Sequence, residues 1–312
     1  MSEEVKNNKT MHWILGGVLL LIGAIIIIAL VVVYSQGVST TAGIDNAAPT
    51  VTSVFVGAAA NGGTDDYAGG ITLTGGTGAT IHINGVVTDD NGAADIISVE
   101  TVFYRSSVTN ACAADDNDCY KIPSCTLTAN DATSKNYDCE VSLEYFADST
   151  VTGGVAPAEA WETYVVVTDA KPQTGDHGAH ADIEMNLTLA LTIPSTIAYG
   201  THALGFSHTA ANNIEIIQTQ QGNDEATVSV SSAAAMSCTI GTIPVANQEW
   251  SITDVDHGSG TDLTGTPTAT LLDVAYQTAG PTTDILYWSL EIPATGVGGS
   301  CTGTNTVTAV AK

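Results

Sequence analysis

Hydrophobic positions along this chain follow two different rules. Between Trp13 and Val33, in WILGGVLLLIGAIIIIALVVV, they run without a break and without a charge. About 21 residues rising about 1.5 Å each make a helix roughly 30 Å long, which matches the hydrocarbon core of a bilayer. From Ala47 onward the rule changes. Short segments rich in Val, Ile, Thr and Tyr alternate with Gly, Asn and Asp clusters, the pattern of half-buried strands joined by turns. In the first half the pattern predicts strands over 50–57, 80–88, 96–104, 137–145, 162–168 and 181–191. The second half reads as strands broken at Gly200 and at Gly222-Asn223-Asp224, with Met236–Asp254 resembling Asp284–Val310 in style. No amphipathic helix interrupts either half. The expected organisation is a tail over 1–12, a transmembrane helix over 13–33, a small, polar linker over 34–46, and two all-β domains over 47–190 and 191–312.

Charge orients this arrangement. Lys6 and Lys9 precede the apolar run, and the next basic residue is Arg105. The positive-inside rule then leaves the N-terminus in the cytoplasm and the C-terminal domains outside the cell membrane. A cleaved secretory signal is the competing reading, with Val33-Tyr34-Ser35 as the cleavage site. Signal h-regions span only about 7–15 residues, so a retained anchor is expected. A pilin-type helix would need a small residue at its processing site, and Lys9-Thr10-Met11-His12 departs from that pattern. Glu3 and Glu4 offset Lys6 and Lys9, so the net charge of −26 belongs to the remainder of the chain. A surface this acidic repels nucleic acid and anionic headgroups, and attracts cations.

All six cysteines, Cys112, Cys119, Cys125, Cys139, Cys238 and Cys301, follow the apolar run. None has zinc-site or thioredoxin spacing, and an even count in an oxidising compartment reads as disulfides. The four clustered cysteines allow three pairings. Cys112–Cys119 with Cys125–Cys139 is the preferred one, leaving Cys238–Cys301 to the second half. The stretch 106–136, which holds three of them, is too long for a plain loop and is expected to be an insertion ordered by its disulfides.

Candidate chemistry is sparse. Asp89, Asp90, Asn91 and Asp95 gather hard oxygen ligands between two predicted strands, and calcium takes six to eight such oxygens. Their spacing is not that of an EF-hand, and a simple Asx-type turn uses the same residues. Asp115-Asp116-Asn117-Asp118 offers a weaker version of the same set. His177 and His180 lie three apart in an expected loop without an evident third ligand for zinc or copper. Asp256-His257-Gly258-Ser259 places triad residue types side by side, where a triad needs them distant in sequence and convergent in space. Asn186-Leu187-Thr188 is the glycosylation sequon of the expected exterior. No cofactor is required by any of these, and calcium is the ligand the loops could take.

Three segments carry a resemblance: PTVTSV at 49–54, NGVVTDDNGAADIISVE at 84–100 and AWETYVVVTDA at 160–170. They are similar to successive strands of Ig-like β-sandwich modules in membrane-anchored bacterial and archaeal surface proteins. The second half likewise resembles C-terminal β-modules of such proteins. The resemblance implies two tandem Ig-like β-sandwich domains, and implies no activity. Together with the anchor, it predicts a non-enzymatic single-pass surface protein with a structural, adhesive or cell-contact role. Its expected partners are the membrane through 13–33 and other surface proteins, copies of itself included. The alternative is a subunit of an extracellular filament or lattice assembled through its apolar helix. A secreted metalloenzyme using His177 and His180 is a third, weaker reading.

Overall fold

The computed structural model describes Gly17, residues 39–60, 63–278 and 280–312. The expected tail, the membrane helix apart from Gly17, and the first residues of the linker lie outside the described residues. Among the described residues no helix is long and apolar enough to cross a membrane. Asn46–Lys312 forms one compact unit, separate from Met1–Asp45.

That unit is all-β. Its first half contains β1 (Thr50–Gly57), β2 (Ala79–Thr88), β3 (Ile96–Arg105), β4 (Cys119–Ile122), β5 (Thr126–Ala129), β6 (Ser134–Leu143), β7 (Trp161–Asp169) and β8 (Thr174–Ile183). They form two four-stranded antiparallel sheets, β1-β2-β6-β5 and β4-β3-β7-β8. Alternation decides which face each strand buries. WETYVVVTD in β7 puts Trp161, Val165 and Val167 inward and Glu162, Tyr164 and Val166 outward. Trp161 stacks on Phe103 with ring centroids 4.9 Å apart, and its indole N–H donates to the Asp148 carbonyl at 3.0 Å. Inward residues of both sheets, from Val54, Ile81 and Cys139 to Val99, Phe103 and Val165, make one sandwich-like core.

Two glycines mark places where backbones meet. A Cβ on Gly85 would lie 2.0 Å from the Ser53 carbonyl, beside a register shift in the β1–β2 pair. One on Gly175 would lie 1.9 Å from the Pro49 carbonyl, so β8 can close against the start of β1 only because that side chain is absent.

The insertion is more regular than expected, because it contributes β4 to one sheet and β5 to the other. Cys125, between these strands, donates its backbone N–H to Val99 of β3 at 2.9 Å while its sulfur bonds Cys139 on β6. The disulfide therefore ties the two sheets together. Cys112 bonds Cys119, which settles the pairing among the four clustered cysteines. Strand β8 departs from the expected 181–191. It is displaced toward the N-terminus and pairs with β7 through two register shifts. Its GDHGAHAD core lacks apolar alternation, so the neighbouring strand rather than local propensity makes it a strand.

The second half contains β9 (Leu191–Thr192), β10 (Ile214–Gln220), β11 (Ala226–Ser231), β12 (Met236–Ile240), β13 (Thr242–Ile243), β14 (Gln248–Ser251), β15 (Thr261–Asp262), β16 (Thr268–Val274), β17 (Thr283–Leu290), β18 (Gly298–Thr302) and β19 (Thr306–Ala311). Three sheets result: β15-β14-β17-β10-β9, β16-β11-β19 and β13-β12-β18. A second core gathers Ile216, Val228, Val230, Leu272, Leu286 and Trp288. Trp250 and Trp288 are register partners across β14 and β17, and both are buried. Cys238 and Cys301 are register partners on β12 and β18 and form the third disulfide. β18 and β19, though successive in the chain, belong to different sheets.

Buried amides join the halves. Asn223 donates to the carbonyls of Ala147 and Asn186 at 3.1 and 2.9 Å and accepts from Thr188 N–H at 2.6 Å. Asn117 donates to the carbonyls of Phe146 and Gln277 at 3.1 and 2.9 Å, and the Tyr145 hydroxyl donates to the Gln277 side chain. Each such bond contributes about 1 kcal/mol net, and an orphaned buried partner costs about 1–3 kcal/mol.

Candidate functional site: a buried aspartate cluster

The loop after β2 is built by its own polar residues. Asp89 accepts the Asn91 N–H on its Oδ1 at 2.7 Å, Gly92 takes φ 118°, and a 3-10 turn spans Ala93–Asp95. Strand β3 starts at once, with Ile96 registered opposite Asp169, the last residue of β7. That register carries Asp95 to Asp169, and the Ala170 N–H donates to the Asp95 carbonyl at 2.8 Å. One carboxylate oxygen each from Asp89, Asp95 and Asp169 then lies within 4.8 Å of the others.

Two of the three carboxylates are out of solvent, Asp89 at 1% and Asp169 at 0% exposure. Asp169 is well supplied with donors. Its Oδ1 accepts from Lys171 N–H at 2.8 Å and Gln173 N–H at 2.9 Å, and its Oδ2 accepts from the Asn46 amide. Burial pushes its pKa up, but these hydrogen bonds and the Lys171 charge outweigh burial and hold it below the ordinary carboxylate value. Asp89 is different. Its Oδ2 is buried and has no donor at all, and the same holds for Oδ1 of Asn46. A buried carboxylate oxygen without a partner costs more than a neutral group in that position. The donor set is entirely oxygen and strongly anionic, which suits a hard divalent cation.

Of the four residues expected to ligate, Asp89 and Asp95 enter the cluster. Asp90 is exposed on the turn, and Asn91 accepts the Ala47 N–H on its Oδ1 at 2.7 Å. Sequence reasoning missed Asp169 and Asn46. Each lies far from the loop in sequence, and only the β3–β7 register and the entry of the chain at Asn46 bring them there. The Thr-Asp at the end of β7 repeats the Thr-Asp at the end of β2, which was the available signal.

The other constellations resolve into structural roles. In the Asp115–Asp118 turn, Asp115 accepts the Asn117 N–H at 2.8 Å, Asn117 is spent on the junction, and Asp118 pairs with Arg105 at 3.3 Å. Arg105 also meets Asp148 and Glu159 at 3.3 and 3.2 Å. His177 lies on strand β8 rather than in a loop, with its Nδ1 2.8 Å from the Gly178 carbonyl. His180 shares that strand. His257 faces Ser289 at 3.1 Å and lies 3.6 Å from both Glu249 and Glu291, so its ring nitrogens are engaged by residues outside its own turn. Glu249 accepts Gly258 and Gly260 N–H groups, which makes this cluster the clasp of the 256–260 turn. The Asn186 amide donates to Gly69 and Thr72 at 3.1 and 2.8 Å, so a glycan there would displace both bonds. A groove of about 830 Å³ in the second half is lined by Ile197, Tyr199, Leu204, Ile243 and Val297. Near it His208 is buried, and burial followed by the charges of His202 and His257 depresses its pKa. No protein-family model and no curated protein matches this chain.

Proposed function

We propose that this chain is a membrane-anchored surface protein whose two tandem Ig-like β-sandwich domains serve a structural, adhesive or cell-contact role outside the cell. The observation that carries the reading is the set of three disulfides, which leaves no free cysteine. Such bonds persist in oxidising compartments and are kept reduced in most cytosols. Their placement supports a load-bearing part, since one ties two sheets and another closes a long loop. The acidic surface and the apolar run at 13–33 fit the same location. Paired strands carrying the residues that resemble Ig-like modules, at β1, β2–β3 and β7, support the fold assignment.

Immuno-electron microscopy of native envelopes, with an antibody against 46–312, tests this proposal, together with mass spectrometry of the N-terminus. Surface label with an intact N-terminus is the expected outcome. Label confined to the cytoplasm overturns it. Label along regular fibres with a trimmed N-terminus replaces it with the filament-subunit reading.

A further inference from the structure

Asp89 and Asp95 belong to the loop after β2 and Asp169 ends β7, about 80 residues further on, yet they converge on one point beneath the first residue of the compact unit. We propose that these three carboxylates bind one Ca²⁺, and that the ion fastens the incoming chain at Asn46–Ala47 to the first sandwich.

The geometry argues for a single shared ion. Oxygens bound to Ca²⁺ at 2.3–2.6 Å can be about 4.6–5.2 Å apart when they lie on opposite sides of it. The three carboxylate oxygens are all within 4.8 Å of one another, so a point at their centre lies no more than about 2.8 Å from each, within a few tenths of an ångström of bonding distance. Independent of the clustering, Asp89 Oδ2 is buried and unpartnered, which is the state of a ligand atom and not of a turn cap. The cap function of Asp89 is already performed by its other oxygen, on Asn91 N–H. Lys171 and Lys135 are the neighbouring cations, and neither answers Asp89. Lys171 acts on Asp169, and Lys135 Nζ donates to the Ile96 carbonyl at 2.7 Å. Mg²⁺ fits less well, because it demands octahedral geometry near 2.0–2.1 Å and retains several waters. These carboxylates are held by strand ends and turns, and two of them are sealed from water.

Coupling to the incoming chain follows from the contacts on the far side of the ligands. Asn46 donates to Asp169, its own Oδ1 is buried there without a donor, and its carbonyl accepts from Gln173 at 3.5 Å. Ala47 N–H donates to Asn91, whose turn Asp89 holds. Fixing Asp89 and Asp169 on one ion therefore fixes both anchor points of residues 46–47. Residues 39–45 ahead of them are irregular and exposed.

The test uses the full chain in mild detergent, stripped with EGTA and titrated with CaCl₂ by calorimetry, alongside D89N, D169N and D116N. One ion per chain is expected, with at least tenfold weaker binding in D89N and D169N and unchanged binding in D116N. Hydrogen exchange at the Ala47 amide is expected to slow on adding Ca²⁺ in the parent chain and not in D89N. Folding of each variant is checked by the intact near-ultraviolet spectrum, and D95N stands in for any variant that fails this check. Absence of saturable binding overturns the proposal, as does binding that survives the substitutions or MgCl₂ binding as tight as CaCl₂. Unchanged exchange at Ala47 overturns the coupling. Envelope microscopy addresses location and this titration addresses the ion, so the two proposals fail separately.

Discussion

Replacing Cys238 and Cys301 together by alanine removes the bond between β12 and β18 while deleting little packed volume, since both residues are only partly buried. The bond closes a loop with a sequence separation of 63. On the chain-entropy model a loop of that length stabilises the fold by about 4 kcal/mol, because the open chain regains the freedom the crosslink denied it. The melting shift depends on how much of the protein unfolds in the same step. Unfolding entropy is about 2.1 cal/mol/K per residue near 60 °C, so about 4 kcal/mol lowers the melting temperature by about 16 °C if the roughly 120 residues of the second half unfold alone. The same loss is diluted to about 7 °C if the whole Asn46–Lys312 unit melts together. The Asn223, Asn117 and Gln277 bonds join the halves, so the smaller shift with a single transition is expected. Differential scanning calorimetry of the oxidised parent and the double variant measures both quantities. A shift below about 3 °C refutes the loop-entropy argument. A shift near 16 °C in one of two resolved transitions refutes the idea that the junction makes one cooperative body.

Other substitutions probe other parts of the fold. W161A empties the centre of the first core and orphans the Asp148 carbonyl, so a loss of about 3–5 kcal/mol is expected in urea denaturation, and a loss under about 1 would remove Trp161 from its assigned place. Burial pushes the Asp148 pKa up from 3.8 to about 6 against the pull of Arg105 and Asn117. Because the folded value exceeds the unfolded one, the stability Asp148 contributes is complete below pH 3.8 and is lost as pH rises through about 6. D148N, which stays neutral, is therefore expected to gain stability relative to the parent between pH 4 and 7, and a flat difference in melting temperature over that range contradicts the assignment. G85A forces a Cβ onto the Ser53 carbonyl, and a cost of about 1–3 kcal/mol with loosened exchange protection along β1 and β2 is expected. Leu271 is 79% exposed with φ at 61°, so L271N is expected to raise stability by about 0.5–1 kcal/mol, and a loss on substitution would mean that the leucine makes a contact of value in the folded chain.

Much of the first sandwich was legible in the sequence, because its strands bury one face. The span of β1 coincides with the expected 50–57, and β7 alternates without error from Trp161 to Asp169. Strand β8 was misplaced because His, Gly, Asp and Ala carry no alternation, and its partner β7 imposes the conformation from outside. The insertion hid two strands for a similar reason, since four-residue strands such as CYKI and TLTA are too short to show a period. At the site, the local half was readable and the distant half was not. Asp89 and Asp95 share a loop, whereas Asp169 joins them through a register that no local pattern states. Likewise, the preferred cysteine pairing names partners, and only the placement of Cys125 against β3 explains what that bond does.

The place of β19 in its sheet has a consequence for how the chain is made. Every strand of the first core has been synthesised by Ile183, so that half can close while the ribosome is still working on the second. The second half has no such freedom. β11, the middle of its sheet, receives one neighbour only when Thr306–Ala311 arrives, and Cys238 waits for Cys301. Until then β11 stands with one open backbone edge that any passing strand can pair with. A translation product that stops a few residues short of Ala311 would carry a finished first half and a permanently open second one. For this half, the arrival of Thr306–Ala311 is the moment of closure, and a copy interrupted before it exposes its own incompleteness to whatever machinery clears unfinished chains.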